Sequence, residues 1–176
     1  MLTVLSITNQ IISEIISDNF FDYDMFLNLH ELKYLDISNC RGITDKDLFF
    51  ICKLPKLEVL KMNKIDTVFG AGLGVAYNLK ELHCFGCEKL INDSLLRLML
   101  VASNLEYLDI RRCLKITNLT INAAIEIKKT RKNNIILEIK MLRHFQGEIN
   151  LFPLFKQPGF NSFVGNFPLL HLIIVD

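Results

Sequence analysis

The stretch Leu105-Glu-Tyr-Leu108-Asp-Ile110-Arg-Arg-Cys113 decides how this chain reads. Leu108, Asp109 and Ile110 alternate apolar, polar and apolar, the period-two signature of a short strand with one buried face. Leu105 and Cys113 add an apolar anchor three residues to either side. The same frame returns as Leu32-Lys-Tyr-Leu35-Asp-Ile37-Ser-Asn-Cys40 and as Leu79-Lys-Glu-Leu82-His-Cys84-Phe-Gly-Cys87. A further copy, Leu57-Glu-Val-Leu60-Lys-Met62-Asn-Lys-Ile65, carries Ile where the others carry Cys.

Weaker copies begin at Leu2 (Leu2, Leu5, Ile7), at Asn134 (Leu137, Ile139) and at Leu169 (Leu172, Ile174). Successive starts at 2, 32, 57, 79, 105, 134 and 169 lie 22 to 35 residues apart. Leucine-rich repeats have periods of about 20 to 29 residues, so most of these spacings fall in or near that range.

Past each Cys the chain turns, and Ile43-Thr44-Asp45, Leu90-Ile91-Asn92 and Ile116-Thr117-Asn118 each end in a residue suited to a helix N-cap or turn. Thr44 and Asp47 have capping-box spacing, with Asp in place of Glu. Leu48, Phe49, Ile51, Cys52 and Leu54 then supply an inner helix face. Leu95, Leu96, Leu98, Met99 and Ala102 repeat that pattern, as do Ile121, Ala124 and Ile125. The segment Asp66 to Ala76 is short and holds Gly70, Gly72 and Gly74, which predicts a loose, partly non-helical connection. It matches neither nucleotide-binding glycine fingerprint.

One strand and one helix per unit predict an α/β leucine-rich-repeat solenoid, with a curved parallel sheet on the concave side and helices on the convex side. Residues 1–144 form the repeat domain in this reading. Residues 145–176, which hold six of the 13 Phe and three of the four Pro, form a C-terminal extension or cap, its apolar finish from Leu169 to Val175 reading as one more strand.

Composition narrows the function. The chain has 176 residues, 51% of them hydrophobic, and a net charge of +1, too little to attract nucleic acid or an anionic membrane. The N-terminal stretch lacks the basic start of a signal peptide, so cytosol or nucleus is the expected compartment. Five cysteines in a chain of this size are expected to be free thiols.

The repeated Cys-x-x-Ile-Thr-Asp at Cys40 and Cys-x-x-Ile-Thr-Asn at Cys113 resemble the cysteine-containing repeats of F-box/LRR proteins, over roughly residues 26 to 140. The resemblance implies substrate-recognition repeats of an SCF-type ubiquitin ligase receptor or a truncated relative. Because repeat-like sequence starts at Leu2 and leaves no room for an F-box, the Skp1 adaptor is not expected to bind this chain alone. The alternative is an F-box-free regulator or assembly factor that works independently of Skp1.

No catalytic residues, cofactor or metal are expected. Cys84-Phe-Gly-Cys87 beside His83 suggests a zinc or redox pair, but the repeat frame assigns both thiols to the core, where small soft side chains donate weakly to nearby carbonyls. His30, His144 and His171 read as surface or boundary residues. The run Lys128-Lys-Thr-Arg-Lys132 reads as solvated cations at a helix C-terminus, and the acceptor triplets at Asn92 and Asn118 as unused.

The outward strand positions form three columns, in chain order Val4, Tyr34, Val59, Glu81, Tyr107 and Ile136; Ser6, Asp36, Lys61, His83, Asp109 and Glu138; Thr8, Ser38, Asn63, Phe85, Arg111 and Lys140. From these, a protein-binding concave face of Tyr34, Asp36, Lys61, Glu81, His83, Phe85, Tyr107, Asp109 and Arg111 is expected. Tyr34, Phe85, Tyr107 and Arg111 are its anchor types.

Overall fold

The computed structural model describes residues 3–6, 29–142, 162–167 and 170–175. Leu2, Ile7, Thr8, His144 and Leu169 lie outside the described residues.

Five strands of three residues each centre on an apolar residue: β1 Val4–Ser6, β2 Tyr34–Asp36, β3 Val59–Lys61, β4 Glu81–His83 and β5 Tyr107–Asp109. The last three strands are longer, six residues each: β6 Leu137–Leu142, β7 Ser162–Phe167 and β8 Leu170–Val175. The helices are α1 Asp45–Cys52, α2 Asn92–Val101 and α3 Asn118–Thr130, and a 3-10 turn, Ala71–Val75, replaces a helix between β3 and β4. The strands form one sheet in the order β1-β2-β3-β4-β5-β6-β8-β7, parallel from β1 through β6 to β8, with β7 antiparallel to β8. The chain is thus an α/β protein built on a parallel sheet.

Register follows the repeat. Leu35, Leu60, Leu82, Leu108, Ile139 and Leu172 occupy one column across neighbouring strands and are buried with Ile37, Met62, Cys84 and Ile110 just beyond them. The backbone ladder continues past the strands, through Met62 N–H to the His83 carbonyl and Cys84 N–H to the Asp109 carbonyl. Burying one such column of leucines is worth about 1.5 to 3 kcal/mol per side chain relative to leaving it in water.

One frame expectation is corrected. The Asn134 copy is two residues out of register, because Leu108 pairs with Ile139 rather than with Leu137, and Tyr107 pairs with Glu138 rather than with Ile136. Alternation Leu137-Glu-Ile139-Lys-Met141 is the same in either frame, so apolar pattern alone does not choose between shifts of two.

After the strand each unit turns through a left-handed residue at an equivalent position: Asn39 (φ 62°), Lys64 (56°), Gly86 (72°) and Arg112 (58°). This turn drops Cys40, Ile65, Cys87 and Cys113 into the core. The buried thiols donate from unit to unit, Cys87 Sγ to the Met62 carbonyl (2.9 Å) and Cys113 Sγ to the Cys84 carbonyl (2.9 Å), while Cys84 Sγ donates forward to the Asp109 carbonyl (3.0 Å).

The helix starts form a second set of links. Thr44 and Asp47 make the capping box of α1. The Asp45 carboxylate accepts from the backbone N–H groups of Phe69, Gly70 and Ala71 at 2.8 to 3.0 Å, fixing the start of the 3-10 turn in the next unit. Asn92 is the first residue of α2 rather than its cap, and its side-chain oxygen accepts from Thr117 N–H (2.9 Å) and from the buried Thr120 hydroxyl (2.7 Å).

The glycines between β3 and β4 have a packing cause. A Cβ on Gly72 would lie 2.4 Å from the Phe49 backbone nitrogen, so only glycine lets the 3-10 turn rest on α1.

The basic run is corrected at Lys128 and Arg131, while Lys129 and Lys132 are exposed as expected. Lys128 is buried, 3% exposed, and its Nζ donates to the Ile135 carbonyl. Arg131 reaches back to the carbonyls of Met99, Ala102 (2.8 Å) and Ser103 (3.0 Å), satisfying the end of α2. An apolar stem and a carbonyl within reach, that of Ile135 for Lys128 and those at the end of α2 for Arg131, draw these two cations inward, against the solvated reading.

Candidate protein-binding face

Alternation sends one residue on each side of every buried leucine to the face opposite the helices. The first outward position of successive strands holds Tyr34, Val59, Glu81, Tyr107, Glu138 and, on β8, His171. The second holds Asp36, Lys61, His83, Asp109, Lys140 and Ile173. Of β1, whose Val4 and Ser6 pair with Tyr34 and Asp36, only the backbone is described.

These side chains engage one another across strands. Lys61 Nζ sits 5.2 Å from the centre of the Tyr34 ring, and its hydrogen bond with Tyr34 is the first cause holding its pKa above the ordinary value. Glu81 and His83 approach at 3.1 Å, and His83 stacks at 4.8 Å on Tyr107 of the next strand. Arg111 grips Asp109 with two bonds, Nε at 2.9 Å and an Nη at 2.6 Å, while its guanidinium lies 5.2 Å from the Phe85 ring. Arg112 approaches the same ring at 5.7 Å.

Three of the nine expected face residues, Asp36, Asp109 and Arg111, have a different principal role. Asp109 is buried at 3% exposure, against the reading that placed it in the open. Its Oδ1 also accepts from Arg111 N–H (3.1 Å), and Asp36 Oδ1 accepts from Ser38 N–H (2.9 Å) in the same way. The shared Tyr-Leu-Asp triplet therefore encodes a strand end whose carboxylate closes the following turn. In β5 the bidentate Arg111 then covers that carboxylate. Arg111 is consequently a structural partner as well as a surface group, since removing it would leave Asp109 buried and unpaired.

Tyr34, Lys61, Glu81, His83, Phe85 and Tyr107 remain half-buried and available on the face. The frame slip hid one neighbour, since Glu138 stands directly beside Tyr107, and the outward columns stopped short of His171, which stands beside Glu138. Arg112 was missed because a left-handed turn residue has no alternation to betray its direction. Among the described residues no group of three or more His, Cys, Asp or Glu side chains is placed to hold a metal ion.

Fold and face together define an α/β protein with a parallel sheet of short strands, one surface of which presents aromatic and charged side chains. No protein-family model matches the chain, and no curated protein matches it.

Proposed function

We propose that this chain is a leucine-rich-repeat solenoid whose strand face holds a protein partner. Within that class, the Cys-x-x-Ile-Thr pattern favours substrate-recognition repeats like those of SCF-type ubiquitin ligase receptors. The observation that carries the reading is the register: Tyr34, Lys61, Glu81, His83 and Tyr107 lie on adjacent strands whose leucines are locked in one buried column. Such side chains are ordered before a partner arrives, which lowers the entropic cost of binding. Aromatic residues on a rigid surface are also the type that dominates interface energetics.

The unit-to-unit thiol and carbonyl links support the repeat assignment, because each neighbour supplies the acceptor that the next unit's buried donor needs. β1 pairs in register with β2, so residues 4–6 also belong to the sheet. On this reading Skp1 does not bind residues 1–176 by themselves.

The test is site-specific photo-crosslinking in cell extract, with the probe at Tyr107 on the strand face or at Leu100, 63% exposed on α2. A defined protein adduct at Tyr107 and none at Leu100 is expected. Adducts only at Leu100 would move the interface to the helices, and Skp1 recovered in stoichiometric amount would overturn the adaptor expectation.

A further inference from the structure

The strand face is not evenly charged. Its first outward row, through Tyr34, Val59, Glu81, Tyr107, Glu138 and His171, contains two carboxylates and neither Lys nor Arg. Beyond the strand ends Lys64, Arg111 and Arg112 make the opposite border basic. A partner laid across the strands meets acid and aromatic groups on one side and guanidinium groups on the other.

Resting on the strand-face reading above, we propose that Glu81, Tyr107 and Glu138 form a subsite for a cationic side chain, so the partner is a protein segment that presents lysine or arginine there. Register puts the two glutamates on either side of Tyr107, with neighbouring strands about 4.8 Å apart. A cation over the phenol ring is thus within reach of both carboxylates and of the ring's negative face. His83 packs on Tyr107 at 4.8 Å and holds Glu81 at 3.1 Å, which fixes ring and carboxylate in place.

Among the described residues, the cations with printed partners near this face are held elsewhere. Lys61 lies over Tyr34, Lys80 pairs with Glu58 at 3.0 Å and Arg111 is bound to Asp109. Among the described residues no cation stands within ion-pair distance of Glu138. The Tyr107 phenol is pushed to a higher pKa, first by burial and then by Asp109, with Arg111 opposing and Glu138 and Glu81 adding to the rise.

The experiment uses three fluorescein-labelled decapeptides of equal length, carrying three lysines, three glutamines or three glutamates, and reads anisotropy with the full chain. The lysine peptide is expected to bind at least tenfold more tightly than the others. Glu81→Gln with Glu138→Gln should erase that preference, circular dichroism reporting that the fold is retained, and raising the salt concentration should weaken it. Equal binding of all three peptides, no binding of any, or a lysine preference untouched by the double substitution would overturn the proposal. If Tyr107→Ala abolishes binding of every peptide while the glutamine pair changes none, the cation subsite falls and the strand-face reading stands. If neither change alters the binding of any peptide, both fall.

Discussion

Lys64 and Arg112 occupy left-handed backbone that costs an ordinary L-residue roughly 1 to 2 kcal/mol and glycine little. Gly86 fills the equivalent turn. Lys64→Gly should therefore stabilise the chain by about 0.5 kcal/mol after glycine's greater unfolded-state entropy is subtracted, measured as a rise in the denaturant midpoint. The repeat's leucines and cysteines were legible because burial demands apolar residues at fixed spacing. The turn residues were not, since Asn, Lys, Gly and Arg share a backbone angle and no side-chain chemistry.

Titration gives a second residue-scale prediction. Burial pushes the thiols of Cys52 and Cys87 from 9.0 up to about 12, and burial followed by Asp36 pushes Cys40 up to about 11. Above pH 9 the unfolded thiols lose protons that the folded ones keep, so the stability they contribute, fully present below pH 9, is lost as pH rises toward 11 and 12. Lys128 works in the other sense. Burial first and Arg131 second lower its pKa to about 8, so between pH 8 and 10.5 the unfolded state binds the extra proton and stability rises. Three thiols outweigh one amine: unfolding free energy should fall from pH 9 upward, and Lys128→Met should remove the small gain between pH 8 and 9. A flat profile to pH 11 would contradict this burial of the thiols.

Elements here are held by their neighbours more than by their own length. The 3-10 turn survives because Asp45 of α1 caps it and Gly72 lets it touch α1 backbone. Gly72→Ala forces that backbone apart and should cost about 3 kcal/mol or more in thermal or chemical unfolding. The glycines were visible in sequence, whereas their packing partner, separated by more than twenty residues, was not. Likewise Arg131→Ala leaves the last carbonyls of α2 without their donors, at a cost of about 1 to 3 kcal/mol. Helix-end charges looked solvated because sequence does not say that the end of α2 lies within reach of Arg131.

For the whole molecule, the parallel α/β sheet followed from one nine-residue pattern, and only the Asn134 unit slipped. That slip and the burial of Asp109 redraw the proposed binding face. Tyr107 now stands between Glu81 and Glu138, and Arg111 belongs to the fold as the partner of a buried carboxylate. Arg111→Ala should accordingly unfold the chain more easily, by about 3 kcal/mol, and is a poor probe of binding.

Tyr107 and Phe85 carry no such duty, so the most direct test of the strand face is calorimetric titration of the partner captured at Tyr107 against wild-type chain and against Tyr107→Ala with Phe85→Ala. Loss of more than about 2 kcal/mol of binding free energy, with the unfolding transition retained, is the predicted result. Unchanged affinity in that double variant, together with a loss on replacing the exposed helix-side Leu100, would contradict it.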